Sequence, residues 1–170
     1  MKDLKPEHIT AICDTREQLP FELSPIKTIR GTLSTGDYSV VGLTNCIALE
    51  RKSLADLIGC VGGDRERFEK EIQRLLAYET RAIIVEAGWN DLEAGLWRSR
   101  VSSKAAVGSV LSWIARGIPI ILAGDRIRAA RVCGHILFLA ARKRWRELQS
   151  FSHDIELNII VQKVNEVVDE

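Results

Sequence analysis

The sequence predicts an α/β domain with a central mixed sheet flanked by helices, and three observations carry that prediction. Short β-branched and apolar runs, "ITAICDT" (9–15), "RAIIVEAG" (81–88) and "IPIILAG" (118–124), have the length and composition of strands. Between the later runs lie charged segments whose apolar residues recur at helical spacing. The stretch 36–56, "GDYSVVGLTNCIALERKSLAD", reads as two short strands around a turn at 42–45, so part of the sheet is expected to be antiparallel.

In chain order, the first strand is expected to end at Asp14, followed by a loop holding Pro20 and Pro25. "TIRGTLS", "DYSVVG" and "NCIALERK" are the next strands. Ser53 then starts a helix, because "SLAD" has the outline of a capping box with Asp56 in the acidic position. Gly59, Gly62 and Gly63 end it. Residues 64–79 form the clearest helix, with Phe68, Ile72, Leu75 and Leu76 on one stripe of a strongly charged segment. Residues 102–117 form another, with Val107, Val110, Leu111 and Ile114 as the expected buried face and Trp113 out of line with it. Residues 125–148 make a long helix whose span 129–141 is apolar on nearly every side, which calls for burial on both flanks. Domain boundaries are set at 1–148, with 149–170 an extension whose pattern fits strand and helix equally.

At 170 residues, 46% hydrophobic and 28% charged, the composition is that of an ordinary globular domain. No apolar run is long enough to span a bilayer, and the first residues are polar, unlike a signal peptide. Cys13, Cys46, Cys60 and Cys133 make no CxxC pair and no His/Cys cluster has zinc spacing, so reduced thiols and a cytoplasmic location are expected. The net charge of +1 decides nothing, but its distribution is uneven. Eleven Arg or Lys fall between Arg98 and Arg146 against one acid, Asp125, which predicts either a basic face for a polyanion or a solvated helix surface.

Charges inside the hairpin are the feature that asks for chemistry, since an unpaired buried charge is costly. Along "ALERK" side chains alternate, so Glu50 and Lys52 share a face and Arg51 points the other way. Asp37 starts the neighbouring strand and can meet Glu50 at one sheet end; Asp14 ends the first strand nearby. Two converging carboxylates suit Mg²⁺ or Mn²⁺ rather than zinc, and a lysine beside them can orient a water or offset charge on a phosphate. The plain alternatives are a Glu50–Lys52 ion pair at a sheet edge and a purely capping Asp56. Among the tryptophans, Trp97 beside Arg98 and Arg100 is the best candidate for stacking on a base.

Asp14-Thr15-Arg16-Glu17, Gly36-Asp37-Tyr38 and Glu50-Arg51-Lys52 with Asp56 four residues on resemble the XPF-type structure-specific endonuclease family, with its G-D-x(n)-E-R-K-x(3)-D pattern. The likeness runs through "DRERFEKEIQRLLAYETRAIIVE" to "SWIARGIPIILAGD", about residues 9 to 145. It implies a restriction-endonuclease-like fold, a variant of the PD-(D/E)xK core, and divalent-metal-dependent cleavage of branched or nicked duplex DNA. By resemblance Asp37, Glu50 and the backbone carbonyl of Arg51 bind Mg²⁺ or Mn²⁺, and Lys52 positions the attacking water. Arg51 and Asp56 support the site, and Asp14, Arg16 and Glu17 form its rim. The expected DNA contacts are Arg16, Arg65, Arg67, Arg98, Arg100, Lys104, Arg126 and Arg128. Pairing of such domains through the helices after the core implies a homodimer. Residues 146–170 are too short to be the tandem helix-hairpin-helix module usual in that family, and "GGDRERFEKE" is similar to the stand-alone bacterial and phage versions. Two other readings share the fold: a catalytically silent DNA-binding or assembly subunit, and a sequence-specific restriction enzyme.

Overall fold

The computed structural model describes residues 3–168, with side chains described to residue 159. After a 3-10 turn at Pro6–His8 come strands β1 (Thr10–Asp14), β2 (Lys27–Gly31), β3 (Tyr38–Val40) and β4 (Ile47–Lys52). Helices α1 (Leu54–Val61) and α2 (Arg65–Leu76) precede β5 (Thr80–Val85). Helices α3 (Trp89–Ala94) and α4 (Ser103–Ala115), strand β6 (Ile120–Leu122) and helix α5 (Arg126–Val168) complete the chain. The strands form one sheet in the order β2-β1-β3-β4-β5-β6. β3 is antiparallel to both β1 and β4, while the β1–β2, β4–β5 and β5–β6 pairs are parallel. The mixed sheet expected from the hairpin is therefore present.

This order puts the ends of β1, β4 and β5 and the start of β3 at one edge of the sheet. The two faces of β4 and β5 are separate cores. Ile47, Leu49, Ala82 and Ile84 pack on Ala129, Cys133 and Leu137 of α5. Ala48, Ile83 and Val85 pack on Leu57 of α1, Phe68 and Ile72 of α2, and Trp113 of α4. Each side chain of this size removed from water contributes roughly 1.5–3 kcal/mol, and truncating Phe68 to Ala costs about 3–5 kcal/mol. The strand alternation that builds the two cores also sorts the charged end of β4: Glu50 and Lys52 continue the α2 face, and Arg51 continues the α5 face.

Helix starts follow their local chemistry. Ser53 Oγ accepts from the Asp56 backbone N–H, and the Asp56 carboxylate accepts from the Ser53 N–H, a reciprocal cap that fixes the entry to α1. Ser102 caps α4 one way only, its Oγ accepting from the Ala105 N–H.

Four expectations change. Helix α3 is not signalled in the sequence, because six residues ending at a left-handed Gly95 carry little periodicity. On α4 the buried face is Ala106, Ser109, Val110 and Trp113, while Leu111 and Ile114 are exposed. Its phase is set by polar groups that find partners inside: the Trp113 indole N–H donates to Glu69 at 2.9 Å and Arg65 donates to Ser109 Oγ at 3.1 Å. The segment after residue 148 takes the helical of its two readings: among the described residues α5 continues through it, and the boundary expected at 148 falls inside this helix. Residues 129–141 are covered on two flanks within the chain, with Leu139 left half-exposed. The sheet buries Ala129, Cys133 and Leu137, and the loop carrying Leu23 and Ile26 covers the other flank, where a Cβ at Gly134 would make ordinary contact with Ile26 at 3.7 Å and Leu23 at 3.9 Å.

Candidate active site

A cleft of about 470 Å³ opens at the sheet edge, lined by Arg16, Glu17, Asp37, Glu50, Lys52 and Asp56 among others. Asp37 reaches it because of the residue before it. Gly36 has φ +77°, and a Cβ there would sit 2.9 Å from the Leu49 carbonyl oxygen, so the chain crosses β4 with no room for a side chain. That approach lets the Asp37 N–H donate to Leu49 O at 2.8 Å, and the Asp37 carboxylate then accepts from the Arg51 N–H at 2.8 Å. Leu49 and Arg51 present their backbone groups toward β3, so the Arg51 carbonyl faces the same side as the Asp37 carboxylate.

Glu50 and Lys52 meet on the α2 face, with Lys52 Nζ 2.5 Å from Glu50 Oε1. Glu71 of α2 joins them at 3.4 Å from Lys52 Nζ, and the ammonium lies 5.3 Å from the Phe68 ring centre. Two carboxylates, Glu50 and Glu71, thus hold one cation, and Asp37 lines the same cleft. Burial, with the Glu17 and Glu71 charges adding to it against the Arg51 amide and Lys52, raises the Asp37 carboxyl to about 6. Burial and the Asp37 charge push Glu50 well above the usual carboxylate range, with Glu71 adding to the push. For Lys52, burial opposes the charge, but Glu50 and Glu71 outweigh it and hold the ammonium protonated beyond the ordinary lysine range.

On the opposite face Arg51 forms a two-pronged bond to Glu86, at 2.9 Å from each nitrogen, with Glu17 at 3.7 Å. Arg126 reaches the same Glu86 carboxylate at 2.7 Å and also donates to the Leu19 and Pro20 carbonyls, so α5 is tied to the cleft wall. Asp56 lines the cleft while its carboxylate serves the α1 cap. Asp14 is not brought into the cleft. Its oxygens accept from Arg16 Nε at 2.6 Å, from the Arg16 and Leu33 N–H groups, and from a second Arg16 nitrogen; the Arg16 bond, with those backbone amides, lowers its carboxyl to about 2 against the pull of burial.

Glu71 and Glu86 were missed in the sequence. Glu71 had a signal: it lies three residues after Phe68 and four before Leu75, inside the apolar stripe, where a charge must have a partner. Glu86 follows β5 as Lys52 ends β4, and its role depends on the parallel β4–β5 register, which spacing alone does not give.

Among the described residues no three His, Cys, Asp or Glu side chains make a closed metal cage. The donor set at the sheet edge is instead two crowded carboxylates and a backbone carbonyl beside an open cleft. Its excess negative charge and hard oxygen donors fit a divalent cation that keeps several waters.

A protein-family model of the ERCC4 domain matches residues 8–136, three quarters of the chain. The chain belongs to the ERCC4 domain family. A search of curated proteins finds no match. Among solved structures, XPF from Aeropyrum pernix is 23% identical, with 84% of this chain and 69% of that one aligned at a TM-score of 0.63. XPF from Aeropyrum pernix in complex with DNA is also 23% identical, covering 79% of this chain and 66% of that one at a TM-score of 0.60. These likenesses establish the XPF nuclease fold, restriction-endonuclease-like, for this ERCC4 domain.

The basic residues singled out in the sequence divide by location. Arg16 and Arg67 line the cleft, each beside an acid, Asp14 and Asp64. Arg65 lies over Trp113 and is bonded to Ser109. Arg128 pairs with Asp125. Arg98, Arg100 and Lys104 are exposed and form no ion pair among the described residues. Within the basic stretch 98–146, Arg116, Lys143 and Arg144 are also neutralised, by Glu69 and Glu79. The basic face is consequently smaller than the residue count suggests. Trp97 is partly buried against the core, and its indole N–H donates to Val101 O at 2.8 Å.

Proposed function

We propose that this ERCC4 domain is a divalent-metal-dependent DNA endonuclease acting on branched or nicked duplex DNA in recombination, repair or phage genome processing. The observation that carries the reading is the meeting of Asp37, Glu50 and Lys52 in one open, polar cleft at a sheet edge. A merely structural Glu50–Lys52 pair gives no reason to bury a second and a third carboxylate beside it. The same trio argues against a catalytically silent subunit. The solved XPF complex with DNA supports DNA as the ligand.

Asp37, Glu50 and the Arg51 carbonyl would hold Mg²⁺ or Mn²⁺, which supplies Lewis acidity at the scissile phosphate. Lys52, kept charged by Glu50 and Glu71, orients the attacking water and offsets charge developing on the phosphate. Arg51 acts from the other face: its bond to Glu86 fixes the backbone whose N–H holds Asp37. Arg16, Glu17 and Arg67 shape the entrance. The four free thiols fit a reducing, cytoplasmic setting.

The test is a panel of labelled duplex, nicked, flap, fork and four-way DNAs incubated with Mg²⁺, Mn²⁺ or EDTA. Cleavage of branched or nicked forms is expected with metal alone, and Asp37→Asn and Glu50→Ala abolish it while DNA binding persists. Lys52→Ala should cut turnover strongly yet retain Mn²⁺ binding. Equal activity in wild type and the carboxylate variants overturns the assignment.

We also propose a homodimer, through a different part of α5 from the one the sequence suggested. Trp145, Leu148, Phe151, Ile155 and Ile159 are exposed beyond the sheet, an apolar set on one projecting helix that a second copy of the same helix would cover. Light scattering should give twice 19.0 kDa, reduced to the monomer mass by Leu148→Glu with Ile155→Glu; a wild-type monomer at micromolar concentration overturns the proposal.

A further inference from the structure

The connection between α3 and α4 is a pinned turn with one residue left out. Gly95, at φ +66°, closes α3, and the Trp97 N–H donates to Gly95 O at 3.1 Å. The Trp97 indole bonds Val101 O, the Val101 N–H donates to Ser99 Oγ at 3.3 Å, and Ser102 starts α4. Trp97 and Val101 pack on the core beneath. Leu96 stands out from this turn at 87% exposure, more than any other large apolar residue described. A single exposed leucine is ordinary on a protein surface. This one is set apart by a rigid base, by its surroundings and by its position.

The surroundings are basic: residues 95–104 contain Arg98, Arg100 and Lys104 and no acid, and none of the three has an ion-pair partner among the described residues. The far end of the turn approaches the wall of the cleft. Val101 abuts Gly62, where a Cβ would lie 3.2 Å from its Cγ2, and Gly62 sits between Cys60 and Asp64, which both line the cleft. An apolar tip held rigidly between phosphate-seeking cations, beside a site that takes a DNA backbone, has the chemistry of an intercalating wedge.

We propose that Leu96 inserts between bases next to the bound phosphate while Arg98, Arg100 and Lys104 hold the flanking backbone. Unstacking a continuous duplex costs a few kcal/mol per step and a nick or branch point has already lost that stacking, so the wedge favours interrupted DNA. This rests on the endonuclease reading of the cleft and adds the element that selects the substrate.

The experiment uses the full chain with EDTA and DNA carrying 2-aminopurine beside a nick or a three-way branch, in parallel with a Mg²⁺ cleavage assay. Wild type is expected to raise the fluorescence several-fold on binding the interrupted DNA. Leu96→Ser, exposed and folded by circular dichroism, should lose that rise while its Kd changes less than about threefold. The triple variant Arg98→Ala, Arg100→Ala, Lys104→Ala should bind all DNAs at least tenfold more weakly. Its log K against log salt slope should be shallower by about three, one for each phosphate no longer neutralised. An unchanged signal in Leu96→Ser, or wild-type binding without any signal, overturns the wedge. Cleavage without the signal leaves the endonuclease standing alone, a signal without cleavage of any DNA leaves the wedge and sinks the endonuclease, and absence of DNA binding overturns both.

Discussion

Replacing Gly36 by alanine tests whether the backbone crossing at β4 builds the site. The new Cβ would meet Leu49 O at 2.9 Å, with Leu49 N at 3.2 Å, and neither backbone atom has a flexible end to move aside. Holding a non-glycine residue at φ +77° costs about 1–2 kcal/mol. Relief of the clash lengthens the Asp37 N–H bond to Leu49 O, a further cost of roughly 0.5–1.5 kcal/mol. Alanine restricts the unfolded chain and returns about 0.4–1 kcal/mol. The balance is a destabilisation of about 2 kcal/mol, or roughly 4–8 °C in Tm for a chain of this size. Urea denaturation measures the first number. Mn²⁺ titration of the folded variant should show weaker binding, because Asp37 moves relative to Glu50. A variant within about 0.5 kcal/mol of wild type and with undiminished Mn²⁺ affinity would refute the reasoning.

Glu71→Gln keeps the shape of the α2 side chain but removes a charge facing Lys52; turnover should fall about tenfold with little change in DNA affinity, the size expected for a residue acting through another. Single-turnover rates beside equilibrium binding check this, and a Kd effect equal to the rate effect would argue against it. Asp14→Asn should destabilise by about 1–2 kcal/mol at pH 7, less than the full shift implies because Arg16 is solvent-screened. Since the Asp14 carboxyl is lowered to about 2, its stabilisation is present above the ordinary aspartate range and lost as pH falls toward 2. The gap between variant and wild type, read from denaturation curves, should therefore close between those limits; a constant gap excludes the ionic origin.

What the sequence made legible was local. Alternation along β4 placed Glu50 with Lys52 and opposite Arg51, and the Ser53–Asp56 cap needed four residues to read. What it concealed was tertiary. The phase of α4 depended on Glu69 and Arg65 supplying partners to Trp113 and Ser109 from another helix. The apolar span of α5 looked as if it needed a second molecule because the loop holding Leu23 and Ile26 returns to it from more than a hundred residues away. Asp14 was expected on the rim of the site, and that Arg16 two residues later engages both of its oxygens could not be read from position.

Helix α5 is two regimes in one unbroken rod. Its 43 residues span about 65 Å at 1.5 Å per residue, and the last described tethers to the domain are Lys143 and Arg144, bonded to Glu79. From Trp145 to Ile159 nearly every side chain is exposed, and a lone helix of that kind is marginal in water. Amide exchange along this single element should therefore step at Arg144, from the slow opening of the whole domain to rapid local fraying. The same boundary is where a protease would make its first cut, and how far protection extends past it on raising the concentration reports directly on association.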